Sequence, residues 1–183
     1  MKVTNPETAR PIRVFLAELP AGVAGIRATL NLMVQVAVAS RRSFIIRNTA
    51  AELVRHLPQK DWLNEIKIVH EFVRDNIRYV RDIVGRETVQ TPENTLRFGY
   101  GDCDDKALLT AALLEAIGHP ARFIAVGRRP GDFEHVLVQT KIRDKWVSVE
   151  TTEPVPLGWH PPSMPYQLIY HIPGAARYAT RKI

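Results

Sequence analysis

A run of strong helix formers at residues 106–117 constrains the fold of this chain more than any other feature. The run reads Lys106-Ala-Leu-Leu-Thr-Ala-Ala-Leu-Leu-Glu-Ala-Ile117, and Gly118 and Pro120 end it because both residue types interrupt helices. A polar bend, Gly99-Tyr-Gly-Asp-Cys-Asp-Asp105, leads directly into the run. The pattern therefore predicts a helix that carries Cys103 at its N-terminus.

Three short segments after this helix have the composition of β-strands. Residues 121–127, 134–140 and 145–150 are rich in β-branched residues, alternate apolar with polar positions, and are separated by turn residues. Residues 77–80, before the helix, indicate a further short strand. This order of elements predicts an α+β fold in which an antiparallel sheet follows the helix.

The chain before residue 77 is predicted to be mainly helical. Apolar residues recur at helical spacing in a first helix, at Leu30, Met33, Val34, Ala37 and Val38. The capping-box pattern Thr49-Ala-Ala-Glu52 predicts the start of a second helix that ends before Pro58. Asp61 is predicted to cap a third helix, whose apolar stripe consists of Trp62, Ile66, Val69 and Val73. Thr91 and Pro92 are the residue types that begin a short helix.

Composition narrows the classes of protein to which the chain can belong. The single cysteine excludes an internal disulfide, and no signal-peptide pattern begins the sequence, so a reducing, cytoplasmic location is predicted. Arg27, Asn31 and Gln35 interrupt the most apolar stretch and argue against a membrane span. The net charge of +6 is scattered, which argues against a nucleic-acid partner. No metal or cofactor is predicted, because His70-Glu71 and the Asp cluster lack the spacing of a ligand set.

Cys103 is the candidate nucleophile. A helix start presents unpaired backbone N–H groups and a partial positive charge, which together predict a thiol pKa below the ordinary value of about 8.5. The same N–H groups can stabilise the oxyanion that forms when a thiolate attacks an amide carbonyl. The neighbouring Asp102, Asp104 and Asp105 would raise the pKa if they pointed at the thiol. We expect them to cap the helix instead.

His135 is the candidate base, and Glu150 the candidate acid that orients it. Period-two alternation places His135, Leu137 and Gln139 on one face of their strand. A turn near residues 143–144 that pairs residue 142 with residue 145 makes Glu150 the diagonal neighbour of His135 on that face. A carboxylate there holds the imidazole tautomer and stabilises the imidazolium. We therefore predict the catalytic set Cys103, His135 and Glu150.

These segments together resemble the transglutaminase-like superfamily. The resemblance covers Gly101-Asp-Cys-Asp-Asp-Lys106, the helix ending in Ile-Gly-His-Pro120, the strand Phe-Glu-His135-Val and the strand Trp146-Val-Ser-Val-Glu150. It is greatest with a branch found in phages and prophages, which also has segments similar to 76–79, 87–92 and 158–162. The family has Asp-Pro-Thr where this chain has Glu150-Thr-Thr152, so the acid is one methylene longer.

The resemblance implies a papain-like α+β fold with an ordered cysteine, histidine and acid. We expect an extended arm at residues 1–20, which contain Pro6, Pro11 and Pro20. A single domain is expected at 21–183, with a helical part at 21–76, a catalytic core at 77–162 and a C-terminal tail at 163–183. Gln90 is a candidate for the second oxyanion donor, where papain-related enzymes place a side-chain donor, and Tyr100 is a candidate for the border of the cleft.

The implied activity is acyl transfer from a protein or peptide substrate through a thioester on Cys103. Water as acceptor makes the chain a peptidase or amidase, whereas a lysine amine makes it a crosslinking enzyme. We favour hydrolysis, because the short chain has no sign of calcium sites or accessory domains. The alternative is a phage morphogenesis or virion protein that retains the fold with little catalysis. Its partners would be phage structural proteins, and its location the virion.

Overall fold

The computed structural model describes the backbone of residues 13–15 and the whole of residues 22–81 and 88–174. The helices are α1 (Val23–Ser40), α2 (Phe44–Val54), α3 (Trp62–Asn76), α4 (Pro92–Phe98) and α5 (Cys103–Ala116). The strands are β1 (Arg13–Phe15), β2 (Arg78–Tyr79), β3 (Thr88–Gln90), β4 (Tyr100–Gly101), β5 (Ala121–Gly127), β6 (His135–Ile142), β7 (Lys145–Val149) and β8 (Tyr166–His171).

Helix α5 lies at the centre of the molecule. Every residue from Asp105 to Glu115 is buried, so the helix has no solvent-facing side over that span. It packs against α1, α2, α3 and α4 and against β5 and β6 of the sheet. Fully burying one leucine contributes roughly 1.5–3 kcal/mol, and α5 buries Leu108, Leu109, Leu113 and Leu114. The position of Cys103 is therefore fixed by the best-packed element of the fold.

The sheet on which α5 packs is antiparallel and has four strands in the order β7-β6-β5-β8. Ile142 pairs with Lys145 and Val138 pairs with Val149, with Arg143 in the left-handed region at φ 53° in the turn. This is the register that the sequence predicted. The helical N-terminal part and the antiparallel sheet confirm the predicted α+β class.

Two strands lie in segments predicted to be peripheral. Strand β8 belongs to the predicted C-terminal tail, yet it pairs antiparallel with β5 from Arg122↔His171 to Gly127↔Tyr166 and forms one edge of the sheet. Strand β1 belongs to the predicted N-terminal arm and pairs antiparallel with β3. Apart from strand β1, residues 1–20 lie outside the described parts of the chain, and so do residues 175–183.

Two details of the predicted helices are wrong. Helix α2 begins at Phe44, where the Ser43 hydroxyl accepts a hydrogen bond from the Ile46 N–H at 3.3 Å, so Thr49 lies inside the helix. Ser43 has the same capping chemistry as Thr49 and comes earlier in the chain. Trp62 is 52% exposed because it is the first residue of α3, outside the stripe of buried side chains that Ile66, Val69 and Val73 form.

The remaining helix starts agree with the sequence. The Thr91 hydroxyl accepts from the Asn94 N–H and Pro92 is the first residue of α4. Asp61 occupies the N-cap position of α3, although its carboxylate accepts from the Asn64 side chain at 2.8 Å.

Of the described helices, α1 alone is long and apolar enough to cross a membrane by length and composition, with a mean hydropathy of 1.4. Its Leu30, Met33 and Ala37 are buried in the same core as α5.

Candidate active site

Cys103 is the first residue of α5, and a reciprocal capping box sets the geometry there. The Asp105 N–H donates to Asp102 Oδ1 at 3.1 Å, and the Asp102 N–H donates to Asp105 Oδ2 at 3.4 Å. Gly101 precedes the box, and a Cβ atom at this position would lie 2.5 Å from the Asp105 Cβ atom. Only glycine fits this close approach, which explains the glycine two residues before the thiol.

The thiol lies in a cavity of about 270 Å³, here named the thiol cavity, that His135 also lines. The Cys103 Sγ atom donates to Asp104 Oδ1 at 3.5 Å and accepts a hydrogen bond from the Val136 backbone. Val136 follows His135 on β6, so the sulfur lies against the strand that carries the candidate base. The N-terminus of α5 and the start of β6 thereby bring Cys103 and His135 together.

The electrostatic surroundings of the thiol differ from the sequence prediction. Burial raises the pKa of Cys103 well above its ordinary value, and the charges of Asp104 and Asp102 raise it further, against the opposing hydrogen bond from Val136. The expectation of a lowered pKa is therefore wrong for this state of the molecule. Asp102 and Asp105 cap the helix as predicted, but Asp104 accepts from the thiol. These surroundings favour the protonated thiol over the thiolate.

His135 and Glu150 are hydrogen-bonded side chain to side chain. His135 Nε2 lies 2.6 Å from Glu150 Oε2, and Glu150 is only 1% exposed. Burial alone would raise the pKa of Glu150, but the hydrogen bond and charge of His135 lower it below the ordinary value, with help from the backbone of Thr152 and Glu153. An ionised carboxylate only accepts hydrogen bonds, so His135 donates from Nε2, and Nδ1 is the ring nitrogen that Glu150 does not engage.

The longer acid compensates for the missing proline of the family pattern. Glu150 Oε1 accepts from the Thr152 N–H at 2.5 Å and from the Glu153 N–H at 3.4 Å. One carboxylate oxygen therefore fixes the bend after β7, while the other holds His135. Both contacts come from a single side chain.

Two buried residues near Glu150, His70 and Lys106, were not predicted from the sequence to belong to the site. His70 Nε2 lies 2.7 Å from the Glu150 carbonyl oxygen, and burial lowers the pKa of His70 against the effect of this bond. Lys106, 1% exposed, donates from Nζ to the Ile77 carbonyl at 2.5 Å and the Arg74 carbonyl at 3.4 Å. Burial lowers the pKa of Lys106 to about 8, while Glu150 and Asp75 oppose the shift.

A sequence signal existed for both residues. His70 falls at helical spacing with Ile66 and Val73 on the buried face of α3. Lys106 is a charged residue at the start of a largely apolar run, a single helical turn after Cys103. A charged or polar side chain on a buried face needs partners. Here they are the Glu150 carbonyl oxygen for His70 and two carbonyl oxygen atoms at the end of α3 for Lys106.

Gln90 and Tyr100 do not take the predicted positions in the cleft. The buried Gln90 amide donates to Asp105 Oδ2 at 2.6 Å and to the Tyr100 carbonyl at 3.4 Å, so its N–H groups hold the cap of α5. Both N–H groups of the side chain are thus engaged in this structure, and the assignment of Gln90 as an oxyanion donor stays a prediction. Tyr100 stacks on Phe98 with ring centroids 5.7 Å apart and is not among the described residues that line the thiol cavity. Tyr79 lines that cavity instead.

Cys103 is the first residue of α5, and the first N–H group of a helix has no acceptor within the helix. Its backbone N–H therefore stays the predicted oxyanion donor. Among the described residues, no group of three or more histidine, cysteine, aspartate or glutamate side chains could hold a metal ion.

A cysteine at the N-terminus of a central helix, packed on an antiparallel sheet that carries a histidine and an acid, defines the transglutaminase-like, papain-related fold. Residues 47–151, more than half of the chain, match the transglutaminase-like superfamily. The chain therefore belongs to this superfamily. The matched segment includes Cys103, His135 and Glu150.

Two solved structures align with part of this chain. A candidate protease from Parabacteroides distasonis aligns with a TM-score of 0.58 and 18% identity over 75% of this chain. A candidate cysteine protease from Cytophaga hutchinsonii aligns with a TM-score of 0.48 and 17% identity over 69% of this chain. The aligned parts are 27% and 46% of those proteins, so this chain corresponds to a fraction of each. No curated protein matches the chain.

Proposed function

We propose that this chain is a cysteine-dependent peptidase or amidase that forms a thioester on Cys103. The observation that carries the proposal is the 2.6 Å contact between His135 Nε2 and Glu150 Oε2, which leaves Nδ1 as the basic nitrogen of a residue that lines the thiol cavity. A buried carboxylate in this position supports an imidazolium, and an imidazolium is what remains after the thiol gives up its proton.

The proposed reaction proceeds in two halves. His135 Nδ1 takes the proton of Cys103, and the sulfur attacks the amide carbonyl carbon to form a C–S bond. The backbone N–H groups at the start of α5 stabilise the oxyanion. The C–N bond then breaks as the amine nitrogen takes the proton from His135. Water attacks the thioester, gives a proton to His135, and releases the acid as the thiol is restored.

The raised thiol pKa favours one alternative, a protein that retains the fold with little catalysis. A half-buried thiol that donates to Asp104 and has a raised pKa is a poor nucleophile, because the thiolate is the reactive form. In the catalytic proposal, the bound substrate is the partner that changes the surroundings of the thiol. His135 then takes the proton of Cys103, and it does so only in the enzyme–substrate complex. A virion or other phage assembly is the setting in which the non-catalytic alternative would act.

Digestion of a denatured protein tests the proposal directly. Denatured casein incubated with the parent chain should yield new peptides by mass spectrometry, and Cys103→Ala should yield none. His135→Ala should lose nearly as much activity, and the double variant should be little worse than either single one, because the two residues act as a unit. Identical peptides from the parent and from Cys103→Ala would contradict the proposal.

A parallel reaction separates hydrolysis from crosslinking. Casein incubated with the parent chain and a fluorescent primary amine should gain little covalent label compared with the amount of newly cut peptide. Dominant labelling that requires Cys103 would assign the chain to transamidation instead.

A further inference from the structure

Two cavities meet at His135. The thiol cavity contains Cys103, and a second cavity of about 770 Å³, here named the distal cavity, contains Glu150. Both are lined by Tyr79, Arg81, Glu134 and His135, so they are two halves of one groove with the imidazole between them. The distal half is the larger, and Cys103 is not among the described residues that line it.

The distal cavity has a fixed apolar wall. Trp159, Pro161 and Met164 line it, and all three belong to the segment that crosses from β7 to β8. Met164 packs on a buried cluster formed by Ile124, Val126 and Leu137, on the side of the sheet that does not face α5. This contact anchors the wall to the sheet before any ligand binds.

The charged groups around the distal cavity are largely engaged by one another. Arg128 pairs with Glu134 at 3.0 Å, and the Glu150 carboxylate is held by His135 and by the backbone that follows it. Charges of both signs therefore line the rim, and Arg81 and Glu153 add one more of each. The lining as a whole is more polar than apolar, and because most of its charged groups are held by one another, the wall of Trp159, Pro161 and Met164 is the part left to bind an uncharged side chain.

The chemistry of amide cleavage assigns a role to each half of the groove. After the C–S bond forms, the acyl group stays on Cys103 in the thiol cavity. The departing nitrogen must be within reach of His135, because it takes the proton from Nδ1 as the C–N bond breaks. The rest of the leaving amine then extends past His135, and the space beyond His135 is the distal cavity.

We propose that the distal cavity binds the leaving-amine side of a peptide substrate and selects a bulky apolar residue immediately after the scissile amide. This inference rests on the proposed function for the order of cleavage, but the binding site itself can be tested without turnover. Trp159 is the residue that would contact the apolar side chain.

The first measurement is a cleavage profile. A mixture of synthetic peptides with every residue represented on both sides of each bond is digested with the parent chain, and the cut sites are read by mass spectrometry. Phe, Trp, Leu and Met should be enriched in the position after the cut. Trp159→Ala should lower kcat/KM for these peptides about tenfold or more, with little effect when glycine or alanine follows the cut. The control is Trp62→Ala, which removes an exposed tryptophan from a different cavity.

The second measurement needs no catalysis. Phenylalaninamide and glycinamide, which represent the amine product, are titrated into Cys103→Ala protein and binding is followed by NMR chemical shifts. Phenylalaninamide should bind about tenfold more tightly, and the added change Trp159→Ala should remove the difference. Equal binding of the two amides overturns the site, whatever the result of digestion. Selective binding by a chain that cuts no peptide would uphold the site and overturn the proposed function.

Discussion

Glu150 carries out two tasks with one carboxylate, and they can be separated by substitution. Glu150→Gln should lower kcat/KM about 10²–10⁴-fold, because a neutral amide cannot stabilise imidazolium and can hold the wrong tautomer of His135. Glu150→Asp keeps the charge and restores the acid found in related proteins, so its activity should stay within about tenfold of the parent. Steady-state kinetics on a peptide that the parent cuts would check both. Parent-like activity of Glu150→Gln would make the carboxylate a purely structural group.

Asp104 is predicted to hold the thiol in its protonated state. Its Oδ1 atom accepts from Cys103 Sγ, and its charge is among the causes that raise the pKa of the thiol. Asp104→Asn should therefore shift the pH dependence of iodoacetamide alkylation toward lower pH and speed the reaction at pH 7.5, since the thiolate is the reactive form.

The matched control for this measurement is Asp144→Asn, which changes an exposed carboxylate in the β6–β7 turn. It should leave the alkylation profile unchanged. An alkylation profile of Asp104→Asn that coincides with that of the parent would assign the raised pKa of the thiol to burial and the charge of Asp102 without Asp104.

At the level of elements, the sequence predicted those features that depend on a few residues close together in the chain. The register of β6 and β7 follows from one turn and from the period of two, and it brings His135 and Glu150 to one face. Thr91, Pro92 and the cap of α5 are likewise local signals. The sequence did not reveal the pairing of β8 with β5, because that strand returns across about forty residues and no local pattern encodes its partner.

The sequence also did not predict the directions in which the side chains at the site point. Asp102, Asp104 and Asp105 are all plausible caps, and only the packed helix start decides that Asp104 turns to the thiol. Gln90 has the residue type of an oxyanion donor, but the buried Asp105 carboxylate accepts its N–H groups instead. These choices depend on tertiary contacts between segments that are distant in the chain.

Gly101 links strand β4 to the start of α5, so its substitution tests the whole helix start. In Gly101→Ala the added methyl group would clash with the Asp105 side chain and disturb the capping box. Overpacking and loss of a cap cost roughly 1–3 kcal/mol, and the melting temperature by circular dichroism should fall by several degrees. The value of kcat/KM should fall by more than the loss of folded protein explains, because the backbone donors next to Cys103 shift with the cap. An unchanged melting temperature would mean that the turn absorbs the methyl group.

On the scale of the whole molecule, Lys106 joins the central helix to two other parts of the fold. Its ammonium group donates to backbone oxygen atoms at and just beyond the end of α3, and the charge of Glu150 acts on it from the end of β7. Burying an ammonium is costly unless it is paired, and the cost falls on the folded state alone. The protonation of this one group therefore couples to global stability.

Stability should rise as the pH is increased above 8, because the pKa of Lys106 is about 8 in the folded chain and 10.5 ordinarily. Between these values the unfolded chain binds a proton that the folded chain lacks, so removing protons from solution favours folding. Other groups also titrate in this range, and comparison with Lys106→Met isolates the contribution of this lysine. Urea unfolding at pH 7.5 and pH 9.5 should show the parent gaining about 1–2 kcal/mol relative to Lys106→Met. Lys67→Met, which removes an exposed lysine from α3, should follow the parent at both pH values. Parallel pH dependence of the parent and Lys106→Met would show that Lys106 titrates near its ordinary pKa and that its burial is compensated by its carbonyl partners.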